Sequence, residues 1–270
     1  MAKKWQKTEV SEKVKEEEKR KIIEPGESKV EVQMPEVKET EEERRKKTQA
    51  ERLKEEKERE LESWVPKTDI GRKVKEGKIT DIDEILGKNK IMEYQIADKL
   101  LNLQNDLIAI GQAKGKFGGG KRRVWRQTQK KSAEGNIPHF ACMTIIGDMN
   151  GHIGLGYGKA AETLPAKGKA FRNAKLNIFK VKRGCGSFDC VCSESHSIPY
   201  TVEGKIGSSR IKLMPAPKGT GLVIDDECKK VLKLAGIKDI YSRTFGQTRT
   251  KINLIKACIE ALKNISKMKT

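Results

Sequence analysis

Residues 140–183 read FACMTIIGDMNGHIGLGYGKAAETLPAKGKAFRNAKLNIFKVKR, and this stretch decides the fold. Phe140–Asp148 is an apolar run with a β-branched centre, which is typical of a buried strand. Asn150-Gly151 follows, and because both residues accept positive φ the pair predicts a two-residue type I′ turn. The return strand, His152–Gly158, has a glycine at every second position, at Gly154, Gly156 and Gly158. A hairpin with so few side chains is predicted to let a polyanion approach its backbone.

The helix predicted over Glu162–Lys180 has one apolar and one basic arc. At 100° per residue the apolar arc holds Ala166, Ala170, Phe171, Ala174, Ile178 and Val181. Lys169, Arg172 and Lys175 fall on the opposite arc. Such a helix is predicted to pack on a sheet with its apolar arc and to face phosphate with its basic arc. The alternative is an ordinary solvated face.

The net charge of +19 indicates an anionic partner, and its distribution sharpens this indication. Residues 1–62 hold 18 Lys/Arg and 19 Asp/Glu, a net of −1, whereas residues 63–270 hold the remaining 39 and 19, a net of +20. All the excess positive charge therefore lies on the part with folded character. A field of this size raises the affinity for nucleic acid.

The organisation of the chain is predicted from its composition. Residues 1–62 are poor in large apolar side chains and indicate a disordered or marginally helical charged arm. Segments of alternating strand and helix character follow in residues 63–183 and 197–270, joined by a linker at 184–196. The fold class is therefore predicted as α+β, with two α/β layers in each folded domain. No apolar run could span a membrane and no signal peptide is recognised, so a cytoplasmic location with reduced thiols is expected.

A glycine-rich basic loop is the strongest candidate for an RNA contact. Lys114–Lys131 includes three consecutive glycines, then Lys121, Arg122 and Arg123, then Trp125. Cations beside an aromatic ring on a flexible loop suit phosphates and unstacked bases. The alternative is a disordered basic loop, which would face the same kind of partner.

A group of three cysteines and one histidine indicates a structural metal site. Cys185, Cys190, Cys192 and His196 are spaced C-x₄-C-x-C-x₃-H. Three thiolates and one imidazole match a closed tetrahedral zinc site, which would brace the linker. The alternative is a set of small buried cysteines with a capping histidine. The glycine spacing around Lys159 fits neither a dinucleotide fingerprint nor a P-loop, and no other pattern resembles an enzyme site.

The motif GDxNGHxGxGxGKA of residues 147–160 closely resembles the core motif of the universal fifth small-subunit ribosomal protein family. The segments RGCGS of 183–187, HSIP of 196–199, LxPAPKGTG of 213–221 and AGIKD of 235–239 are similar to its archaeal branch. The resemblance covers about residues 64–262. One departure is the segment 124–138, which is inserted between the basic loop and the strand at Phe140.

The resemblance implies a fold and a function. The first domain is expected to be like a double-stranded-RNA-binding fold, and the second to be a smaller α/β sandwich. The chain is expected to be a non-enzymatic constituent of the small subunit, bound to rRNA near the head–body junction. The fourth and eighth small-subunit proteins would be its neighbours, and it would contribute to translational accuracy. It is not expected to form a free homo-oligomer.

Two groups of residues are predicted to contact rRNA. The first consists of glycines that would let RNA approach the protein backbone, and the second of residues whose side chains carry positive charge or lie beside it. They are Gly119, Gly120, Lys121, Arg122, Arg123, Trp125, Arg126, His152, Gly154, Gly156, Gly158, Lys159, Arg172, Lys175, Arg210, Arg243 and Arg249. Two rival functions remain open from the residues alone: a double-stranded-RNA-binding regulator outside the ribosome, and an enzyme that uses the glycine-rich turn for a nucleotide.

Overall fold

A computed structural model describes residues 58–87, 90–113, 120, 122–192 and 194–267. Residues Glu55–Thr270 form one compact unit. Most of the predicted arm 1–62 lies outside the described residues, and residues 58–63 are helical. Among the described helices, none is long and apolar enough to cross a membrane.

After the helical residues 58–63, the first half of the described chain contains three short helices and then a sheet with one long helix. Its elements are α1 (Asp69–Lys75), α2 (Ile82–Leu86), α3 (Tyr94–Leu100), β1 (Gln104–Leu107), β2 (Arg126–Ser132), β3 (Gly135–Gly147), β4 (His152–Ala160), α4 (Thr163–Leu176) and β5 (Ile178–Lys180). The sheet is antiparallel in the order β1-β3-β4-β5, and β2 pairs with the first half of β3.

A seam of glycines and alanines joins α4 to this sheet. The buried alanines Ala166, Ala170 and Ala174 recur every fourth residue along α4 and are 0% exposed. The glycines of β4 recur every second residue opposite them. A Cβ added at Gly156 would lie 2.0 Å from the Ala170 carbonyl oxygen. Both surfaces must therefore lack bulk for the helix to reach the sheet.

The three short helices enclose a small core of their own. Trp64, Val74, Ile85 and Ile96 are buried there, together with Ile178 from β5. The side chain of Glu93 holds the segment before α1 in place by hydrogen bonds. It accepts hydrogen bonds from Trp64 Nε1 at 2.7 Å and from the backbone N–H groups of Lys67 and Thr68 at 3.0 and 2.7 Å. Burial raises the pKa of Glu93, but these hydrogen bonds outweigh it and hold the pKa below its ordinary value.

The second half of the chain forms another sheet with two helices. Its elements are β6 (Val202–Ile206), β7 (Ser209–Pro215), β8 (Leu222–Val223), α5 (Asp226–Leu234), β9 (Ile240–Phe245) and α6 (Lys251–Lys267). The strand order is β6-β7-β9-β8, antiparallel except for the β8–β9 pair. α6 packs closely on β6, since a Cβ added at Gly204 would lie 2.1 Å from the Ala257 carbonyl oxygen.

One hydrophobic core is shared by the two sheets. Met143 and Ile153 of the first sheet belong to the same buried cluster as Leu213, Leu232 and Leu262. The predicted division into residues 63–183 and 197–270 separates the sheets along the chain but not their core. Those domain boundaries stay a prediction.

Two local expectations differ from the structure. The hairpin at 147–152 is confirmed, but positive φ occurs at Met149 and Gly151 rather than at Asn150, so the type I′ prediction is wrong. Helix α4 ends at Leu176 instead of Lys180, because Ile178–Lys180 pairs with β4 as β5. The inserted segment is ordered: β2 and the start of β3 extend the sheet as a hairpin.

Candidate RNA interface and metal centre

A cleft of about 770 Å³ brings together most of the predicted loop residues that the structure describes. Arg122, Arg123, Trp125 and Arg126 line it, with residues 250–252 at the start of α6. The base of the loop is fixed by the main chain: Ala113 bridges Arg122, and the Gly111 N–H donates to the Arg123 carbonyl at 2.7 Å.

The charge of the cleft is suited to an anion. No carboxylate lines the described part of the cleft. Lys251 lies at its edge and is already paired with Asp225. The arginines are therefore the cations available to a ligand, and Trp125 offers a partly exposed ring beside them. Gly120 is exposed next to this cleft, whereas Gly119 and Lys121 lie outside the described residues.

The glycines of β4 leave no open groove, contrary to the expectation that they make room for a polyanion. A Cβ added at Gly154, Gly156 or Gly158 would lie 2.0–2.3 Å from a carbonyl oxygen of α4. The space that these glycines leave is filled by the protein's own helix. The regular four-residue spacing of alanines in α4 was the signal that could have revealed this packing.

His152 also belongs to the fold rather than to an exposed RNA surface. It is 9% exposed, and its Nδ1 and Nε2 lie 2.5 Å from Asp148 Oδ2 and 3.0 Å from Asp83 Oδ1. Lys180 pairs with the same Asp83. Desolvation raises the pKa of Asp83, but the hydrogen bonds from Lys180 and His152 outweigh it and hold that pKa below its ordinary value.

The basic arc of α4 is only partly available. Lys175 donates to Asp98 Oδ2 at 2.6 Å and lies 5.4 Å from the centre of the Tyr94 ring, so it tethers α4 to α3. Arg172 and Lys169 are exposed, and so is Lys159 at the end of β4. The part of the predicted basic surface that remains available to a ligand is thus Arg172 with the exposed Lys169 and Lys159.

The second sheet carries a further basic face. Arg210 and Arg243 lie on exposed positions of β7 and β9, and Arg243 is the register partner of Lys212. Lys205 is the register partner of Arg210. Strand alternation places all four on the face opposite the side that α6 covers. Lys205 and Lys212 were not predicted, although the two-residue spacing of Arg210 and Lys212 along β7 was a usable signal for Lys212; Arg249 is exposed on the loop before α6.

The four predicted metal ligands converge. The ligand atoms of Cys185, Cys190, Cys192 and His196 all lie within 4.8 Å of one another. Cys190 Sγ lies 3.0 Å from Cys192 Sγ and 3.6 Å from His196 Nε2, and Cys192 Sγ lies 3.5 Å from Cys185 Sγ. Ligands bound to tetrahedral zinc at about 2.3 Å are separated by about 3.8 Å, so this set fits the ion.

A buried carboxylate orients the histidine of this cluster. Asp239, 4% exposed, lies 2.8 Å from His196 Nδ1, which leaves Nε2 directed at the thiols. The other oxygen of Asp239 accepts the N–H groups of Gly219 and Gly221 at 3.1 and 2.8 Å. A carboxylate behind a ligating imidazole is the usual support of a zinc site. Sequence reasoning missed Asp239.

The thiols of the cluster differ in acidity. Hydrogen bonding with Cys192 lowers the pKa of Cys190 to about 6, whereas burial raises the pKa of Cys185 to about 11. Thiols that share one site ionise one after another, because the first thiolate opposes the next. A divalent cation would stabilise all three as thiolates.

Comparison with known proteins shows the family of this chain. The family model for the N-terminal domain of ribosomal protein S5 matches residues 121–182, and that for its C-terminal domain matches residues 204–270. Small ribosomal subunit protein uS5 of Nanoarchaeum equitans is 51% identical over 211 residues, covering 77% of this chain and 90% of that protein. Its counterpart in Methanocaldococcus jannaschii is 46% identical over 212 residues, covering 78% and 91%. These matches confirm the resemblance read from the sequence: the chain belongs to the ribosomal protein S5 (uS5) family.

Proposed function

We propose that this chain is a structural constituent of the small ribosomal subunit in the cytoplasm and binds small-subunit rRNA near the head–body junction. Its relatives are named as small-subunit ribosomal proteins, which supports the ribosomal role. Their family consists of structural proteins, so the prediction that the chain is not an enzyme is confirmed. The observation that carries the RNA-binding proposal is the cleft that Arg122, Arg123 and Arg126 line together with Trp125.

The chemistry of this cleft favours phosphate and base-stacking contacts over base-edge readout. Guanidinium groups bind phosphate oxygens in pairs of hydrogen bonds, and an indole ring stacks on any unpaired base. A-form RNA hides its base edges in a deep major groove, so a folded rRNA offers mainly phosphates, riboses and looped-out bases. The exposed cations on β7 and β9, with Arg172 and Lys159, would extend the contact to further phosphates.

The finer parts of the proposal follow from the family. The sheet of β1, β3, β4 and β5 with α4 on one face is the part that would correspond to a double-stranded-RNA-binding-like domain. The fourth and eighth small-subunit proteins would be its neighbours. The loop that leads to Arg122 would affect translational accuracy, which a stop-codon readthrough reporter in cells carrying Arg122→Ala can measure.

Salt dependence tests the cleft directly. Affinity falls as salt rises, and each phosphate contact that is lost makes the slope of log affinity against log salt less steep by about one. The double variant Arg122→Ala with Arg123→Ala should therefore make it less steep by up to about two. Lys256→Ala removes an exposed lysine of α6 that does not line the cleft and serves as the control. An unchanged slope in the double variant would remove both arginines from the interface.

The rival function is a double-stranded-RNA-binding regulator outside the ribosome. Sedimentation separates the two roles, because a structural constituent co-migrates with small subunits through a high-salt gradient. A regulator would sediment apart from them. The latter result would overturn the ribosomal assignment even if RNA binding were retained.

We also propose that Cys185, Cys190, Cys192 and His196 bind one structural zinc ion. The support is the convergence of the four ligand atoms and the buried carboxylate of Asp239 behind the imidazole. The ion would supply only cross-linking, because four protein ligands leave no open position for a substrate. Here it would join the segment 185–192 to His196, whose imidazole contacts Asp239.

Elemental analysis of the purified chain tests the metal. We expect one zinc per chain and its loss in Cys190→Ser. Cys228→Ala, which removes a buried thiol outside the cluster, should keep the zinc. A parent chain purified without chelators and without zinc would end this proposal.

A further inference from the structure

The segment 185–192 exposes two apolar side chains at its tip. Phe188 and Val191 each have a relative exposure of 103%, the highest values among the large apolar residues in the described part of the chain. Single exposed apolar residues are common on proteins, but here a phenyl ring and a β-branched side chain stand together on one short loop. We call residues 186–192 the tip loop.

The base of the tip loop is rigid. Gly184 and Ser197 exchange two backbone hydrogen bonds of 2.9 Å each, which close the segment at its ends. Gly186 is packed so closely that an added Cβ would lie 2.0 Å from the Pro199 carbonyl oxygen. The cysteine–histidine cluster fixes the segment again from inside. Since these contacts hold the ends and the inside of the loop, seating its apolar side chains on a partner requires less ordering of the backbone.

The charge of this region opposes RNA. Residues 184–196 contain no lysine or arginine, although the chain has 57, and of their two acidic residues, Asp189 and Glu194, the second is paired with Lys218 at 2.8 Å. A divalent ion held by three thiolates and a neutral imidazole leaves a further net charge of −1. Phosphates brought close to Phe188 would therefore meet the charge of Asp189 and find no cation in the tip loop, and Lys218, which reaches this segment from outside it, is already engaged by Glu194. A partner with positive charge is favoured instead.

We propose that the tip loop is a protein-docking site, in which Phe188 and Val191 enter an apolar pocket, rimmed by lysine and arginine, on a neighbouring protein of the small subunit. This inference rests on the proposed ribosomal role. Buried aromatic anchors dominate the energy of such contacts, and complementary charge around them sets the partner and its orientation.

Photo-crosslinking in assembled particles tests this site. Cells whose sole copy carries Phe188→p-benzoyl-phenylalanine supply salt-washed small subunits, which are then irradiated. We expect one discrete adduct that withstands ribonuclease and is cleaved by protease, with the attachment mapped by mass spectrometry to a basic protein. Phe245→p-benzoyl-phenylalanine, at an exposed ring on β9 outside the tip loop, should not give that adduct.

A second substitution keeps the test independent of folding. Val191→Asp in the crosslinking background should lower the adduct yield at least fivefold while the zinc content and the amount of chain in the subunits stay unchanged. An adduct to RNA, or no adduct from zinc-loaded chain that is present in the subunits, overturns the docking site alone. Absence of the chain from small subunits overturns the ribosomal role and this inference together.

Discussion

Replacing Gly156 by alanine should destabilise the protein rather than weaken RNA binding. The new Cβ would lie 2.0 Å from the Ala170 carbonyl oxygen, 2.4 Å from the Ala174 nitrogen and 2.8 Å from the Ala174 Cβ. Contacts of Cβ atoms below 3.0 Å are essentially absent from real structures, so α4 must retreat by about 1 Å at this point. A retreat of that size forfeits a quarter to a half of the dispersion energy along a contact seam.

The size of the effect follows from overpacking. Overpacking costs about 1–3 kcal/mol, and backbone atoms on a helix place this site near the upper end. Alanine also restricts the unfolded chain, which returns about 0.4–1 kcal/mol. We therefore expect a net loss of about 2–3 kcal/mol and, at about 2–4 °C per kcal/mol, a Tm lower by about 4–12 °C.

Thermal and urea unfolding followed by circular dichroism measure this loss. Gly168→Ala on the same helix is the matched control: its nearest neighbour would be Arg172 Nη2 at 3.9 Å, and alanine is the better helix former by about 0.5–1 kcal/mol. Gly168→Ala should thus unfold at a slightly higher temperature than the parent. If Gly156→Ala kept the parent Tm and lost RNA affinity, the glycines would serve RNA contact and the packing argument would be refuted.

Three further predictions concern buried or paired polar groups. Because the pKa of Asp83 in the folded protein is below its ordinary value of 3.8, its ionised carboxylate stabilises the fold. This stabilisation is fully present above pH 3.8 and is lost as the pH falls through the lower pKa of the folded state. Asp83→Asn should therefore flatten part of the acid unfolding curve below about pH 4. Asp239→Asn replaces the carboxylate beside His196 Nδ1 by an uncharged amide with a single acceptor oxygen and should weaken zinc retention about 10–100-fold in a chelator competition, without removing a ligand. Lys175→Met breaks the pair with Asp98 and should lower the Tm while leaving the salt slope of RNA binding unchanged; a lower slope would return Lys175 to the interface.

Local patterns carried most of what could be predicted. The hairpin, α4 and the metal cluster each lie within a few tens of residues, so spacing alone indicated them. The cluster of Cys185–His196 was foreseen because its ligands fall within twelve positions. Its supporting carboxylate, Asp239, is 43 residues further along, where no spacing rule reaches.

The remaining expectations failed where a distant partner determined the role of a residue. His152 looks like an exposed ligand until Asp83, 69 positions earlier in the chain, is packed against it. The strand Arg126–Ser132 is polar and lacks an apolar alternation, so no periodicity predicted it; it exists because β1 pairs only with Thr144–Gly147 and leaves the earlier part of that edge of β3 free. Charge composition indicates the kind of molecule that the protein binds. It does not show which lysines and arginines are already paired with a carboxylate of the protein itself.

The core that spans both sheets also has a consequence for synthesis. Ile153 becomes buried against partners as late as Leu262, so roughly 110 further residues must be translated before that face is covered. At a translation rate of about 5–20 residues per second, the apolar face of the nascent first sheet stays exposed to solvent for about 5–22 s. During that interval the growing polypeptide is a client for chaperones, and an early stop codon in the second half would leave it permanently in that condition.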